Sequence, residues 1–293
     1  MDTDLFDYAL PAHLIASHPP LERDGGRLLV ADSVTGAIAH ERISDLAALL
    51  PPRSLLIAND SRVFPARLAA RRPTGGAVEV LLVRLEMDAA DTCEWTALCR
   101  SAKPLRIGSR LLIGDVEVTV TASGEQGDRR LRMNCGAAGF RDVVAQIGAV
   151  PLPPYIQRPV EEADKERYQT VYAKHEGSVA APTAGLHLTQ ALIDALFAEG
   201  HELQFVTLHV GPGTFRPITA GVVEQHAMDV EYYDIPRATV EAVFRARSEG
   251  RPVIAIGTTA VRALEGCAAQ HGGNLAAGGG STRMFIVPPF SFK

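Results

Sequence analysis

Three stretches of the chain are almost unbroken in apolar residues: RSLLIAND (53–60), ELQFVTLHVG (202–211) and RPVIAIGTT (251–259). A strand reads this way when both faces of its sheet are covered. Elsewhere the apolar positions recur every three or four residues, over 189–198, 237–248 and 259–267, which is the spacing of helices with one buried face. Thr189 suits the N-cap of the first of these and Gly200 its stop. The pattern changes in the middle of the chain. AVEVLLVRLE (77–86), EWTALCRS (94–101), SRLLIGD (109–115), VEVTVTAS (116–123) and RRLRMNCG (129–136) are short Val-, Leu- and Ile-rich runs. Turns at Gly108, at Gly114 and between Gly124 and Gly127 separate several of them. Five or six strands so spaced suggest a small antiparallel barrel. A short helix is predicted over GFRDVVAQIG (139–148), followed by a stiff extended connector, PLPPYIQRP (151–159). HGGNLAAGGG (271–280) reads as a loop. The pattern predicts an α/β domain built from both chain ends, 1–64 and 151–293, with a small antiparallel β-barrel domain, 65–150, inserted into it.

Composition narrows the class. Hydrophobic residues make up 46% of the 293 positions and charged residues 22%, so a packed core is expected. No apolar run approaches the ~18 residues of a membrane span. The opening MDTDLFDYALPAHLIASHPP lacks the basic and apolar regions of a signal peptide, and a cytoplasmic location is expected. Cys93, Cys99, Cys135 and Cys267 are too scattered for a structural zinc site and read as reduced thiols.

The net charge of −5 argues against broad nucleic-acid binding, but the charge is uneven. Residues 62–150 hold 13 Lys and Arg against 10 Asp and Glu, leaving 16 against 24 for the rest. Arginines bunch at Arg62, Arg67, Arg71 and Arg72, then at Arg100, Arg106 and Arg110 with Lys103, then at Arg129, Arg130 and Arg132. Such bunches form a solvated face in most proteins; a local basic patch on an acidic chain is also what selective binding of a polyanion requires.

Ligands of open α/β sheets gather beyond the carboxyl ends of the strands. Three polar clusters fall there: Asn59-Asp60-Ser61-Arg62, His209-Val210-Gly211-Pro212-Gly213-Thr214, and Gly257-Thr258-Thr259 with Arg262 one turn further on. Each has a structural reading as well, as an Asx-turn, a tight turn and a helix cap. Pro182 to His187 just before the first helix fits neither helix nor strand, and QHAMDVEYYDI (225–235) groups His226, Asp229, Glu231, Tyr232 and Tyr233. His187, His209 and His226 lie near these clusters without a metal-ligand spacing, so they are candidates for acid/base work or for structural roles.

Taken in order, FDYALPAHLIASHP, ANDSRVFPARL, GGAVEVLLVR, VPLPPYIQRP, RYQTVYA, GSVAAPTAGLHLT, VTLHVGPGTFRP, IGTTAVRALE and FIVPPFSFK resemble the S-adenosylmethionine:tRNA ribosyltransferase-isomerase family of queuosine biosynthesis. The resemblance runs almost the whole length and implies an α/β domain with an inserted β-barrel. It also implies transfer and isomerisation of the ribosyl part of S-adenosylmethionine onto the aminomethyl group of a 7-deazaguanine at the tRNA wobble position. Adenine and methionine would leave, and epoxyqueuosine would remain. S-adenosylmethionine is then a co-substrate, with no prosthetic group, no metal and no membrane partner expected, and a monomer as the expected state.

That chemistry assigns candidate roles. A base next to the acidified carbon of the sulfonium and a proton donor for the departing adenine are taken to be His187 and His209, with Thr183 delivered by the same loop and Gly185 allowing a close backbone approach. Asp60 or Glu231 would face the sulfonium, while Thr258, Thr259 and Arg262 would receive the methionyl carboxylate, with Gly257 in the same S-adenosylmethionine site. Gly211, Gly213 and Thr214 complete the S-adenosylmethionine site, and Arg62, Arg67, Arg71 and Arg72 would contact tRNA phosphates. Two departures stand out. Leu188 replaces the Phe usual after the His of the PTAGLH motif, and the sequence stops at Lys293 where the family continues. The latter raises the expectation of a longer protein and, as an alternative, of a tRNA-binding protein without catalysis.

Overall fold

The computed structural model describes residues 1–124 and 127–293, so the turn expected between Gly124 and Gly127 includes residues outside those described. The chain divides into two compact units, one comprising Met1–Arg62, Pro154–Arg158 and Glu166–Lys293, the other Val63–Pro153 and Pro159–Lys165.

The first unit is built on a five-stranded mixed sheet in the order Val253–Ala255, Leu55–Asn59, Glu202–His209, Glu231–Ile235, Gly278–Thr282. The first three strands are parallel and each of the last two is antiparallel to its neighbour. The strand Leu55–Asn59 explains its own composition. Successive side chains point to opposite faces. Leu55 and Ile57 join Val240, Val243, Ala260 and Ala263 from the helices Arg237–Ser248 and Gly257–Gln270. Leu56 and Ala58 join Leu192, Ile193 and Leu196 from the helix Gln190–Ala198. All four strand residues are at most 1% exposed, so an unbroken apolar run is the only pattern that serves. Each of the larger three contributes on the order of 1.5–3 kcal/mol by burial.

Two sequence expectations shift. The third apolar run pairs only over Val253–Ala255, and the helix after it starts at Gly257, so Gly257-Thr258-Thr259 is the first turn of a helix and not the end of a strand. The glycine-rich segment is a loop only in its first part. Gly278, Gly279 and Gly280 form a strand against Glu231–Ile235. The reason is space: a Cβ at Gly280 would fall 2.4 Å from the hydroxyl oxygen of Tyr233, whose ring covers that position. Tyr233 in turn donates a hydrogen bond to the Gln270 side chain (3.3 Å). Thr189 caps its helix as its sequence position predicts, its hydroxyl accepting from the Leu192 N–H (3.0 Å). His201 is structural, its Nδ1 accepting from the Ser54 N–H (3.1 Å) and its Nε2 facing the Ala47 carbonyl (3.2 Å).

The second unit is a closed antiparallel barrel of six strands, in the order Asp128–Met133, Thr92–Ser101, Ala77–Ala89, Arg67–Arg71, Arg110–Ile113, Val116–Ser123. The strand Arg67–Arg71, which the sequence pattern had not singled out, alternates exposed and buried positions, with Leu68 and Ala70 inward and Arg67, Ala69 and Arg71 outward. Closure leaves no unpaired edge. The helix Ala137–Ile147 brings Phe140 against Trp95 (ring centroids 6.4 Å apart), and Phe64 packs on the same indole at 6.0 Å. The four cysteines are free, and burial pushes the thiols of Cys93 and Cys99 up to about 11. Among the described residues no helix is long and apolar enough to cross a membrane.

Candidate active site

The site grows from the carboxyl end of Leu55–Asn59. The Asn59 side chain spans to the next strand, donating to the Leu208 carbonyl (2.9 Å) and accepting from the Leu208 N–H (3.0 Å). Its oxygen also accepts from the Ser61 N–H (3.1 Å), which is the Asx-turn read from the sequence. That turn aims two groups. The Asp60 carboxylate is 6% exposed, accepts from the Thr207 hydroxyl (2.7 Å) and lies 3.7 Å from His175 Nε2. The Ser61 hydroxyl lies 2.8 Å from His209 Nδ1 and 2.7 Å from the Ser178 hydroxyl, and Ser178 accepts from the Val210 N–H (2.9 Å).

Burial pushes the His209 imidazole below its ordinary 6.5, and the neighbouring His175 lowers it further, while Asp60 acts in the opposite sense. The folded chain therefore holds His209 neutral where the unfolded chain takes up a proton. Its contribution to stability is complete above the unfolded value near 6.5 and is lost as pH falls through the folded value. Urea midpoints measured from neutral pH down to about pH 5 should fall more steeply in the wild type than in His209→Gln. Parallel curves would contradict this.

The second strand end places Gly211 against Glu231. The Gly211 N–H donates to one carboxylate oxygen (3.3 Å), and Arg262 forms an ion pair with the other. Glu231 is 5% exposed, and burial holds its carboxyl above the usual glutamate range, partly offset by Arg262. Arg262 also donates from Nε to the Met284 carbonyl (3.2 Å), while its Nη2 is buried without a partner. The Thr259 hydroxyl, one helical turn earlier, is likewise buried and unpartnered. Gly213 lies against the Asp229 carboxylate, which pairs with Arg216 (3.5 Å); Thr214 and Thr258 are exposed.

Pro182-Thr183-Ala184-Gly185-Leu186-His187, expected to be a loop, makes a single 3-10 helical turn over Thr183–His187. Ala184 lies against Gly257, so this turn adjoins the start of the helix carrying Thr259 and Arg262. Gly185 is buried under Tyr172, whose hydroxyl would be 2.1 Å from a Cβ at that position. The hydroxyls of Tyr172 and Thr170 are buried and without partners. Burial, and then the nearby Asp60 charge, push the Tyr172 phenol well above its ordinary value.

The structure thus joins the two strand ends, the first turn of the helix Gly257–Gln270 and the 183–187 turn through Asp60, Ser61, Glu231, Arg262 and the Ala184–Gly257 contact. It does not pair the two histidines. His187 makes no hydrogen bond with His209, and its ring rests 3.6 Å from where a Cβ of Gly26 would stand. Thr183 is exposed. Among the tRNA candidates, Arg67 is paired with Glu79 (Nε to carboxylate 3.0 Å) and Arg72 donates to the carbonyls of Lys103 (2.6 Å) and Pro104 (3.1 Å). Arg62 and Arg71 are exposed and have no ion pair among the described residues. The described residues include no cluster of His, Cys, Asp and Glu arranged to hold a metal ion.

Ser61 lies in the first polar cluster read from the sequence, and Thr170, Tyr172 and Ser178 in stretches that carry the family resemblance, but none of them was given a role there, and the segment Arg23-Asp24-Gly25-Gly26 was not singled out. Arg23 donates to the carbonyls of Glu166 (2.8 Å), Gln169 (2.8 Å), Arg167 (3.4 Å) and Leu186 (3.4 Å). Arg167 reciprocates to those of Pro20 (2.6 Å) and Leu21 (2.8 Å), and the Thr189 hydroxyl donates to Asp24 (3.1 Å). For the segment 23–26, the charged pair before Gly-Gly was the signal available in the sequence.

The family model described as "Queuosine biosynthesis protein" matches residues 3–293. The S-adenosylmethionine:tRNA ribosyltransferase-isomerase of Syntrophotalea carbinolica is 44% identical over 289 residues, covering 98% of this chain and 83% of that protein. The proteins of the same name from Nitratidesulfovibrio vulgaris and Anaeromyxobacter sp. are 45% and 43% identical, each alignment covering 98% of this chain and 82% of the relative. A crystal structure of S-adenosylmethionine tRNA ribosyltransferase from Thermotoga maritima is 30% identical, covers 98% of this chain and 80% of its own, and gives a TM-score of 0.47. With a family model matched from residue 3 to residue 293 and relatives at 43–45% identity, the chain belongs to the S-adenosylmethionine:tRNA ribosyltransferase-isomerase family of queuosine biosynthesis.

Proposed function

We propose that this chain transfers and isomerises the ribosyl part of S-adenosylmethionine onto the aminomethyl group of a 7-deazaguanine at the tRNA wobble position, releasing adenine and methionine and leaving epoxyqueuosine. The observation that carries this reading is the pair of buried, unpartnered donors Arg262 Nη2 and Thr259 Oγ1 on one helix, next to the 183–187 turn. A buried donor without an acceptor costs about 1–3 kcal/mol, which a bound carboxylate such as that of the methionyl group would recover. Glu231 already serves Gly211 and Arg262, so Asp60 is the better-placed carboxylate for the positive sulfonium. The carbon next to that sulfur is acidified, and a nearby base starts the reaction. His187, with no hydrogen-bond partner among the described residues, is our candidate for that base; the exposed Thr183 on the same turn, with Gly211, Gly213 and Thr214, would close around the substrate.

For tRNA, the free charges of Arg62 and Arg71 are the main phosphate contacts, because Arg67 already has Glu79 beside it and Arg72 is spent on carbonyls. Arg71→Ala should lower the slope of log affinity against log salt by about one unit, and Arg67→Ala by less. Filter binding across salt concentrations reads this, and an unchanged slope for Arg71→Ala refutes it. The proposed reaction is tested by supplying S-adenosylmethionine and tRNA bearing the aminomethyl base. Equimolar adenine and methionine are expected, with loss of turnover in His187→Ala. Release of S-adenosylhomocysteine, or of nothing at all, would overturn the reading.

A further inference from the structure

Ser178 and Ser61 form a buried chain ending on His209, and both serines are 0% exposed. Ser178 Oγ accepts from the Val210 N–H, and among the described residues the one acceptor bonded to its own hydroxyl is Ser61 Oγ at 2.7 Å. Ser61, having accepted that hydrogen, can donate its own to His209 Nδ1 at 2.8 Å or to the His175 carbonyl at 3.5 Å. The shorter bond is of normal length and the longer at the limit of being one. In the reversed chain, with a proton on Nδ1, either the Ser178 hydroxyl hydrogen has no acceptor or the Ser61 hydrogen is left with the 3.5 Å contact. An unsatisfied buried hydroxyl costs about 1–3 kcal/mol, a factor of roughly 5 to 150 in population. The arrangement that satisfies every hydroxyl therefore runs from Ser178 through Ser61 into Nδ1, which for a neutral ring leaves the proton on Nε2.

We infer that Ser178 and Ser61 are positioning residues that hold His209 as the neutral Nε2–H tautomer, so that it acts on the substrate as a hydrogen-bond donor and not as a general base. The burial of the ring and the nearby His175, which disfavour the imidazolium form, agree with this. Asp60 is the one charged group acting in the other direction, and its carboxylate is already held by Thr207. A neutral imidazole is a poor proton source but a good fixed donor to an atom gaining negative charge, the ring nitrogens of a departing purine or a hydroxyl oxygen being the acceptors of that chemistry. On this inference His209 takes a role different from the acid/base pairing with His187 expected from the sequence, and proton abstraction falls to another group.

The tautomer is read without substrate, by two-bond proton–nitrogen correlation spectra of the wild-type protein labelled at histidine. His209 Nδ1 is expected at the unprotonated, pyridine-type position and Nε2 at the protonated, pyrrole-type position. The opposite assignment, or two protonated nitrogens at neutral pH, overturns the inference whatever the enzyme's activity. In Ser61→Ala the tautomer preference should shift toward a mixture, and Ser178→Thr should keep the wild-type pattern. The kinetic arm alone rests on the proposed reaction. There, His209→Gln, whose amide N–H can stand in for Nε2–H, should keep turnover within about tenfold of wild type, while His209→Ala should lose about 100-fold or more. Equal losses in Gln and Ala variants would show that a titrating imidazole is needed and would refute the donor role.

Discussion

Gly185→Ala is expected to lose about 100-fold in kcat/KM while remaining folded, because it moves the 183–187 turn without touching the sheet. The added methyl would stand 2.1 Å from the Tyr172 hydroxyl and 2.9 Å from the Thr170 methyl. Tyr172 cannot step aside freely: its ring packs, tilted by 41° and with centroids 5.1 Å apart, on Phe205, within the central strand of the sheet. The turn must therefore lift, and with it His187 and the Ala184 contact to Gly257. The stability cost of such overpacking is about 1–3 kcal/mol, so thermal denaturation should show one cooperative transition at lower temperature. Tyr172→Phe removes the clashing oxygen, and Gly185→Ala/Tyr172→Phe should recover part of the lost activity relative to Gly185→Ala. Near wild-type turnover in the single variant would show that the close approach has no catalytic consequence.

Glu231→Ala is expected to destabilise the protein by about 3–5 kcal/mol, because it strands the Arg262 guanidinium in the interior. Arg262 is 14% exposed at its side chain, and its remaining bond is to a single carbonyl. The same change frees the Gly211 N–H, loosening the second strand end. Replacing both partners, as in Glu231→Leu/Arg262→Met, should restore much of the stability while leaving adenine release abolished, since the proposed carboxylate donor has gone. Chemical denaturation of the wild type and the two variants decides this. A single variant that loses less than about 1 kcal/mol would mean that the pair behaves as a solvent-exposed one.

The scaffold was legible in the sequence for a definite reason. A strand covered on both faces must be apolar at every position, and Leu55 to Ala58 satisfy that condition locally. The barrel strands alternate, and the helix Arg237–Ser248 follows its period to the residue, because burial on one side imposes those patterns within a few positions. Gly278 to Gly280 hid their strand because its cause lies elsewhere in the chain, in the ring of Tyr233. The site was legible as a set of strand ends, and the order of motifs located it. Its wiring was not. Nothing near Ser61 announces that Ser178, 117 positions away, will orient its hydroxyl. The two histidines looked interchangeable in the sequence and differ only in what surrounds them: His209 has a buried serine on one nitrogen, and His187 rests against Gly26.

The reciprocal bonds of Arg23 and Arg167 bear on when the site comes into being. Arg23 reaches carbonyls up to 163 positions away, and the barrel strands lie within that interval. The helix Gln190–Ala198 can start from its own Thr189 cap, but the turn before it is fixed only when the opening segment has met residues 166–186. Closing so long an interval is slow relative to forming local helix or hairpin contacts. During synthesis, a chain that has just completed its barrel still lacks the turn, and the opening segment must wait for a partner made much later. A site that also draws on Glu231, Thr259 and Arg262 is therefore complete only after those residues have been made and the opening segment has met residues 166–186.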